Sequence, residues 1–293
     1  MGDSDVSDRG AVPPRPTVGP VTDAEVAYSQ GHAPSVLRSQ TWRTVENSAA
    51  YLLPQLRPGL RVLDVGCGPG TITRDLAQRV SPGTVVGVDL EESVLAQARA
   101  DAGGAGETPE LTFALGDVRD LSDVVDRFGP FDVVHAHQVL LHLTDPVAAL
   151  ASMLAATAPG GVVAARDTDY AGMFWWPADL RLDRWLEIYR AVGHVHGTEP
   201  DAGRRLMAWA HAAGAREVTP SASVWCHADP EERERWGGGW STRIVDSTIA
   251  ERAVAGGLAT REELADIGAA WRAWADHPDG WFTVPHGEIL ARR

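Results

Sequence analysis

Cysteine and basic side chains are what this 293-residue chain has little of. Its two cysteines, Cys67 and Cys226, lie far apart in the sequence, which excludes the disulfide framework of a small secreted domain. Acidic residues outnumber basic ones by 40 to 26, so the net charge is −14 and the pI is about 5.1. An acidic protein without an arginine cluster repels phosphate backbones, so we expect no nucleic-acid partner.

Long apolar segments are also absent. No run reaches the ~18 apolar residues that a membrane-spanning helix needs, so we expect no membrane partner. Residues 1–20 are rich in proline, glycine, serine and aspartate, lack the apolar region of a signal peptide, and are predicted to form a disordered leader. Together these features predict a cytoplasmic protein. The hydrophobic content of 44% is ample for the core of one large domain.

A regular alternation of short apolar segments with helical segments occupies residues 61–167. Strands and helices of these lengths, taken in turn, indicate parallel strands joined by right-handed crossovers. The strands are apolar on both faces, as expected for a sheet covered by helices on both sides. The predicted strands are RVLDV, TVVGVD, LTFALGD, FDVVHAH and GVVAARD. The helices between them include TITRDLAQRV, EESVLAQARA and DPVAALASMLAAT, the last ended by the turn APGG.

The pattern changes after residue 168, and ten of the eleven tryptophans lie beyond residue 170. Helical insertions are predicted after the fifth and sixth strands. A helix is expected to begin near residue 229, and the glycines Gly237–Gly239 are expected to break it. The sixth and last strands are predicted at REVTPSASVWCHA and WFTVPHGEILARR. Pro285 lies in the last strand and has no N–H for a ladder, so a bulge or frayed end is expected there. Further helices are predicted between residues 21 and 55.

The segment VLDVGCGPG, residues 62–70, joins the first strand to the first helix of the alternation. Ligands of open parallel sheets bind at the carboxyl ends of the strands. Gly66 and Gly68 would let the backbone approach such a ligand without interference from a Cβ atom. Asp89 ends the second strand, where it can accept hydrogen bonds from both hydroxyls of a ribose. These features suit a dinucleotide and S-adenosylmethionine equally well.

Two residues separate these ligands. The dinucleotide pattern G-x-G-x-x-G would place glycine where Thr71 stands. Asp64, beside the loop, would repel a pyrophosphate but suits the ammonium and sulfonium groups of S-adenosylmethionine. The third strand then ends in Gly116, Asp117 and Val118, where a carboxylate and a backbone amide can bind the adenine edge. The sequence therefore favours S-adenosylmethionine, and a nicotinamide-dependent oxidoreductase stays as an alternative.

Five motifs taken together, VLDVGCGPG, GVDL, GDV, FDVVHAHQVLLHL and PGG, resemble in order and spacing the class I S-adenosylmethionine-dependent methyltransferases, and most closely the small-molecule branch similar to ubiquinone and menaquinone biosynthesis enzymes. The resemblance is strong over residues 43–167. It implies a Rossmann-like, seven-stranded, mostly parallel α/β sheet, with the last strand antiparallel between the fifth and sixth. It also implies one domain over 21–293, made of a helical cap (21–60), a cofactor-binding core (61–167) and a substrate side (168–293).

The resemblance further implies a set of donor-binding residues. The methionine end would be held beside the glycine loop, the ribose and adenine at the ends of the second and third strands, and the sulfonium past the fourth strand. An N-terminal lid would cover the donor. The residues for the methionine end are Asp64, Gly66, Cys67 and Gly68, and those for the ribose and adenine are Asp89, Leu90, Gly116, Asp117 and Val118. The residues for the sulfonium are Ala136 and His137, and those of the lid are Tyr28 and His32.

An acceptor pocket is expected at the ends of the fourth and fifth strands, beside the insertions. The abundant tryptophans suit an apolar or aromatic acceptor. His137 is the one candidate base or hydrogen-bonding group, and no metal is expected because HAHQVLLH lacks a third ligand with metal spacing. Trp185, Trp209, Trp271 and Trp274 have helical spacing and are expected to pack the core. The predicted substrate contacts are Asp167, Tyr170, Trp175, Trp176, Trp236 and Trp240.

The predicted function is methyl transfer from S-adenosylmethionine to a small molecule, with S-adenosylhomocysteine as the product. Such a transfer is an in-line displacement that needs alignment and exclusion of water, and a base only for a neutral nucleophile. The non-enzymatic alternative is a cofactor-binding scaffold or regulator, because motifs of this kind report binding rather than turnover. The identity of the acceptor and the oligomeric state stay open.

Overall fold

The computed structural model describes residues 42–102 and 110–293, so the predicted leader and the predicted lid residues Tyr28 and His32 lie outside the described residues. The strands are β1 Arg61–Val65, β2 Thr84–Asp89, β3 Leu111–Leu115, β4 Phe131–His137, β5 Thr157–Thr168, β6 Phe174–Trp176, β7 Glu217–His227 and β8 Trp281–Arg292. The α-helices are α1 Val45–Ser48, α2 Thr71–Val80, α3 Glu92–Asp101, α4 Ser122–Phe128, α5 Pro146–Ala156, α6 Leu180–Val195, α7 Leu206–Ala212, α8 Pro230–Arg233, α9 Gly239–Asp246, α10 Thr248–Ala255 and α11 Arg261–Asp276. Short 3₁₀ segments lie at Ala50–Gln55, Leu140–His142, Tyr170–Gly172 and Ala202–Arg205.

All eight strands form one sheet. Strands β3, β2, β1, β4 and β5 lie side by side in that order and are parallel, as right-handed crossovers require. The last strand, β8, runs antiparallel between β5 and β7. This arrangement confirms the predicted fold class and the position of the last strand. The short strand β6, which follows β5 and also pairs with β8, is an eighth strand that the sequence did not indicate.

Three large hydrophobic clusters, with a small fourth one around Phe113, fill the interior of the described residues. One packs α1 and α2 on one face of the sheet, around Val62 and Leu76, and another packs α5 and α7 on the opposite face, around Leu63 and Met153. The third cluster joins the C-terminal helices α6, α9, α10 and α11 to Phe282 of β8. Helices therefore cover both faces, as predicted. No helix within residues 42–102 and 110–293 is both long and apolar enough to cross a membrane.

Two strand predictions are corrected by the structure. The segment APGG does not end the helix as a turn but belongs to β5, which already begins at Thr157 and carries a register shift opposite Phe131–Val133. Pro285 causes neither a bulge nor a frayed end, because β8 pairs with β7 in unbroken register across it. The Pro285 carbonyl accepts a hydrogen bond from Asp169 N, 2.9 Å away. Its missing N–H therefore faces the gap between β5 and β6, where no ladder partner is needed.

The glycine run Gly237–Gly239 does not break its helix, contrary to prediction. The backbone continues from α8 through a π-helical turn, Glu234–Gly238, directly into α9. A Cβ atom on Gly237 would lie 2.6 Å from the Trp274 ring, so glycine is required here by close packing. Propensity alone pointed to a break, and tertiary packing overrides it.

One face of the sheet is less apolar than predicted. Buried polar side chains occupy it from β1 to β8, where a helix-covered sheet normally carries aliphatic residues. Most are less than 7% exposed, and they lie next to the carboxyl ends of the strands. They are Asp64, His135, His137, Arg166, His286 and Glu288.

Candidate active site

The glycine loop between β1 and α2 adopts a conformation that only glycine takes easily. Gly66, Gly68 and Gly70 have positive φ values of 64°, 55° and 72°. A Cβ atom on Gly66 would lie 2.6 Å from Cγ2 of Val139, and one on Gly70 would lie 2.7 Å from the Phe113 ring. The loop is therefore held against β3 and the segment after β4, with bare backbone at the carboxyl ends of the strands.

Asp89, the last residue of β2, fixes this loop. Its Oδ2 accepts a hydrogen bond from Gly68 N at 3.0 Å, and its Oδ1 accepts one from Glu91 N at 3.2 Å. Gly68 is 21 residues away in sequence, so the carboxylate joins the ends of two neighbouring strands. Hydrogen bonds to a carboxylate are stronger than those between neutral groups, so Asp89 positions both the loop and its own oxygens.

Asp64 is buried at the end of β1, with 3% of its surface exposed. Its Oδ2 accepts a hydrogen bond from the Thr73 hydroxyl at 2.6 Å, and its Oδ1 lies 2.7 Å from Nδ1 of His135. A buried carboxylate needs such partners to remain in the interior. These contacts orient Asp64 beside the loop and extend its network to β4.

A cavity of about 180 Å³ opens where these strand ends meet. The glycine loop, the end of β2 and the segment after β4 form its walls. Nine of the predicted donor-binding residues line it: Asp64, Gly66, Cys67, Gly68, Asp89, Leu90, Gly116, Val118 and His137. Further lining residues include Arg43, Thr71, Glu91, Arg119, Gln138, Val139 and His142.

Two other predicted donor residues do not line the cavity. Ala136 is fully buried within β4. Asp117 pairs with Arg119, whose guanidinium donates to both carboxylate oxygens at 2.6–3.0 Å. Burial raises the pKa of Asp117, but the hydrogen bonds from Arg119 outweigh it and hold that pKa below its ordinary value. The carboxylate is therefore ionised and already engaged by Arg119, which itself lines the cavity.

Gln138 follows β4 in a strained backbone conformation, with a φ of 55°. Successive strand residues normally point to opposite faces, yet Gln138 contacts side chains on the face that carries His137. Its Nε2 donates to the Thr168 hydroxyl at 2.8 Å and lies 2.9 Å from Nε2 of His286. Its Oε1 accepts a hydrogen bond from Arg43 at 2.6 Å. The left-handed turn thus brings an amide and a guanidinium to the cavity wall.

His137 lines the cavity but is only 6% exposed. Neither of its ring nitrogens has a hydrogen-bond partner among the described residues. Burial, together with the charges of Arg43 and Arg166, lowers the pKa of His137 well below its ordinary value. Burial likewise lowers the pKa of His142 to about 3. Both imidazoles are therefore neutral at pH 7, and His137 can accept a proton or a hydrogen bond.

The family model described as a methyltransferase domain matches residues 56–222, more than half of the chain. The chain belongs to this methyltransferase family. The methyltransferase is 32% identical, over 92% of its length, to an uncharacterized methyltransferase of Schizosaccharomyces pombe, of which it covers 97%. It is 38% identical over 153 residues to the trans-aconitate 2-methyltransferase of Deinococcus radiodurans, which is 51% of this chain and 55% of that protein.

Among solved structures, the YcgJ protein of Bacillus subtilis matches the fold with a TM-score of 0.51 at 15% identity, over 83% of this chain and 97% of that one. The fold and the family confirm the prediction of a class I, S-adenosylmethionine-dependent methyltransferase. The cavity fits this donor on two counts: its glycine loop presents bare backbone, and Asp64, Asp89 and Glu91 give one end the negative charge that a sulfonium and an ammonium require.

None of the residues predicted to contact the acceptor lines the cavity. Asp167 is fully buried and accepts hydrogen bonds from Leu140 N and Leu141 N at 3.2 and 3.4 Å. Tyr170 stacks on Tyr189, with ring centroids 4.0 Å apart.

The four tryptophans predicted as acceptor contacts also lie outside the cavity lining, each in a different environment. Trp240 is 1% exposed within the third cluster, and Trp236 stacks on His227. Trp175 stacks on Phe282, whereas Trp176 is 60% exposed on β6. The prediction that helical tryptophans pack the core is confirmed for three residues, which are at most 3% exposed: Trp185, Trp271 and Trp274.

Sequence reasoning missed six polar residues of the methyltransferase's cavity wall, and three of them lie on the side of β4: Gln138, His142 and Arg43. Gln138 directly follows the FDVVHAH strand, so its position after a parallel strand was a usable signal. His142 stands in the same motif, one 3₁₀ turn later. Arg43 lies 95 residues before Gln138, and nothing local in the sequence marks it as a site residue.

Proposed function

We propose that this methyltransferase transfers a methyl group from S-adenosylmethionine to a small-molecule acceptor inside the described cavity. The observation that carries the proposal is that one continuous cavity is lined both by the glycine loop with Asp89 and by the polar end of β4 with His137. The first wall suits the donor, and the second gives an acceptor a place beside it. In this division, residues 61–167 bind the donor and residues 168–293 support the acceptor side.

The donor would lie along the ends of β1, β2 and β3. Asp89 would accept hydrogen bonds from the ribose hydroxyls, and Leu90, which is 54% exposed, would pack on the adenine. Gly116 and Val118 would border the adenine edge. The bare backbone of Gly66 and Gly68, with Asp64 behind it, would hold the methionine end.

The acceptor would lie against the end of β4. The tryptophans predicted as acceptor contacts were expected to make this region apolar, but the polar residues His137, Gln138, His142 and Arg43 line it, together with Val139 and Leu143. We therefore base the acceptor on this polar wall and leave Trp240 and Trp236 out of the proposed site. The similarity to a trans-aconitate 2-methyltransferase supports a small organic molecule of this polar kind.

When bound, the donor supplies a methyl group on a positively charged sulfur. The protein's part is to hold the acceptor atom ~3–3.5 Å from that methyl group, in line with the leaving sulfur, and to exclude water. The burial of His137 and the closeness of the loop to Val139 favour a dry site. The lowered pKa makes His137 a weak base, so its neutral imidazole would hydrogen-bond to the acceptor, which would react in its ionised form.

The test is to incubate the purified protein with S-adenosylmethionine and a panel of small organic acids, phenols and amines that includes trans-aconitate. Mass spectrometry should detect S-adenosylhomocysteine and an acceptor that has gained one methyl group. Calorimetry should separately show binding of S-adenosylhomocysteine. Binding without any methylated product across the panel would favour the scaffold alternative, and no binding would contradict the donor site itself.

We also place this reaction in the cytoplasm. Both cysteines are free, and Cys226 is exposed, which suits a reducing compartment. Localisation of the tagged chain by microscopy tests this placement, and export to an oxidising compartment would contradict it.

A further inference from the structure

A row of buried charged and polar side chains crosses the sheet beside the cavity. His137 of β4 pairs in register with Arg166 of β5, and Arg166 pairs with Glu288 of β8. Directly paired residues lie on one face of a sheet, so the three side chains form a continuous row. Each is at most 6% exposed. Such groups are costly to bury unless hydrogen bonds or charges compensate them.

At its far end the row is fully compensated. Glu288 accepts hydrogen bonds from the hydroxyls of Ser221 and Ser223 and from Nε of Arg166, the last at 3.2 Å. The guanidinium also lies over the Trp225 ring, with Cζ 4.7 Å from its centroid. Both oxygens of the Glu288 carboxylate therefore already accept hydrogen bonds from side chains that do not line the cavity.

Among the row and Tyr51, which lies near Arg166 and Glu288, unpartnered hydrogen-bond donors outnumber acceptors, and His137 is the member that lines the cavity. Nη1 and Nη2 of Arg166, both ring nitrogens of His137 and the hydroxyl of Tyr51 are buried without a hydrogen-bond partner among the described residues. A guanidinium can only donate, and a neutral imidazole and a phenol each offer one donor. An incoming group that satisfies them must be rich in acceptors, as an anionic oxygen is.

The charges of the cavity point the same way. Burial raises the pKa of Asp167 to about 8, so this neighbour of Arg166 is mostly neutral at pH 7, and Glu288 is the carboxylate that pairs with Arg166. Arg43 lines the cavity beside Gln138, to which it donates, whereas Asp64, Asp89 and Glu91 line it beside the glycine loop and the end of β2. The cavity thus has carboxylates where the cationic donor fits and an arginine where the acceptor is placed.

We propose that the acceptor is a small organic anion, and that its carboxylate or equivalent anionic oxygen binds at the wall formed by His137 and Arg43, in front of Arg166. The proposal rests on the proposed methyl transfer and adds the chemical class of the acceptor. In a cavity of low dielectric constant, an anion and a cationic donor attract each other strongly. When the anionic oxygen attacks the methyl carbon, an O–C bond forms as the S–C bond breaks, so the oxygen and the sulfur both become neutral and S-adenosylhomocysteine is the leaving group. The neutral His137 can serve as a hydrogen-bond donor to the anion.

The first experiment tests whether the acceptor that this protein methylates is an anion. A small-molecule extract of bacterial and fungal cells is separated on an anion exchanger at pH 7, and each fraction is incubated with the full-length protein and trideuteromethyl S-adenosylmethionine. We expect trideuteromethylated product only from the retained fraction. Product from the unretained, neutral or cationic fraction alone would overturn the anionic acceptor while leaving methyl transfer intact. Absence of product from every fraction would contradict methyl transfer, and with it this proposal.

The second experiment uses the active fraction with matched arginine variants. Arg166→Met should raise the KM for the acceptor about tenfold or more, as loss of a charge-assisted contact does, and leave S-adenosylhomocysteine binding unchanged. Arg166→Lys keeps the charge and should recover part of the loss. Arg292→Met is the control, because Arg292 donates to the carbonyls of Gly160 and Gly161 at the opposite end of β5.

Arg43→Met keeps the proposal testable if Arg166→Met does not fold, since Arg43 is only half-buried. It should raise the same KM. Unchanged KM values in both variants, with native thermal stability, would overturn the proposal. An equal loss of donor binding would assign the arginines to the donor site instead.

Discussion

At the scale of single residues, the glycines of the loop show why local sequence reasoning could locate part of the cavity wall. Gly66, Gly68 and Asp89 lie directly at strand ends, and their residue types follow from the positive φ of the glycines and from the hydrogen bond that Gly68 N donates to Asp89. Both constraints act within a few positions of a recognisable strand. Arg166 and Glu288 are different: 122 residues separate them, and only the register of β5 and β8 brings them together. No local pattern could have predicted that row.

The contact between Gly66 and Val139 can be measured by a matched pair of variants. Gly66→Ala and Gly160→Ala both force alanine into a positive φ, which costs about 1–2 kcal/mol. Gly160 has open space for a Cβ atom, whereas Gly66 does not. Overpacking should therefore cost Gly66→Ala about 1–3 kcal/mol more. Urea unfolding tests the difference, and equal losses would contradict the close packing of the loop.

Asp89 provides the second prediction at this scale. Asp89→Asn removes a charge that orders Gly68 N and that we assign to the ribose, so affinity for S-adenosylhomocysteine should fall by about 1–3 kcal/mol. Isothermal titration calorimetry measures the change. Asp279→Asn, at an exposed turn before β8, is the control and should bind normally. An unchanged affinity in Asp89→Asn would count against the ribose assignment.

At the scale of elements, strand existence and order were predictable because the βα alternation is regular in residues 61–167. The C-terminal half was harder, because its helices are defined by packing against one another. The segment from α8 to α9 is the clearest case. Its three glycines have low helix propensity, but the helix continues through them because Gly237 packs against Trp274 and the chain gains that contact. Strand β6 is three residues long, and it is held by pairing with β8 and by a hydrogen bond from Nε1 of Trp274 to the Trp176 carbonyl.

This helix yields a prediction with opposite signs at two neighbouring glycines. Gly237→Ala places a methyl group 2.6 Å from the Trp274 ring and should lower the free energy of unfolding by about 1–3 kcal/mol. Gly239→Ala has nothing within 4 Å and should raise it by about 0.5–1 kcal/mol, since alanine favours the helix. Urea unfolding of both variants measures the signs. Stabilisation by Gly237→Ala would show that the π-helical turn is not held by this contact.

At the scale of the whole molecule, the tryptophans and the buried polar row of His137, Arg166 and Glu288 occupy different parts of the interior. Trp185, Trp240 and Trp271 meet edge to face or stacked in the third cluster, with centroids 4.8–6.3 Å apart, and so stabilise the C-terminal helices. The abundance of tryptophan after residue 170 therefore reports a core, not the cavity wall. The polar groups that line the acceptor side of the cavity come from the end of β4, the segment after it and Arg43. Composition located the aromatic mass correctly but could not show which side of the sheet faces the acceptor.

The buried titratable groups also predict how stability depends on pH. Burial lowers the pKa of His227 to about 4 and of His142 to about 3, and it lowers those of His137 and His286 as well. Below pH 6.5 these imidazoles bind protons in the unfolded chain but not in the folded protein, so acid destabilises the fold. Asp167 acts in the opposite sense. Its folded pKa of about 8 means that the folded state keeps a proton that the unfolded state loses above about pH 4, so its contribution is lost as the pH rises toward 8.

Four histidines outweigh one carboxyl group below pH 6.5, and the unfolded histidines still release protons up to about pH 7, where their effect and that of Asp167 cancel. We therefore expect a broad stability maximum near pH 7, and we expect the Asp167 contribution alone to fall by about 1.2 kcal/mol between pH 6.5 and 7.5. Urea unfolding at pH 5.5, 6.5 and 7.5 measures this profile. The stability of the wild type minus that of Asp167→Asn should fall by about 1.2 kcal/mol from pH 6.5 to 7.5, whereas the same difference against Asp279→Asn should stay constant. A difference from Asp167→Asn that does not change with pH would mean that Asp167 is ionised in the folded protein, which would add a negative charge beside Arg166 and weaken the case for an anionic acceptor.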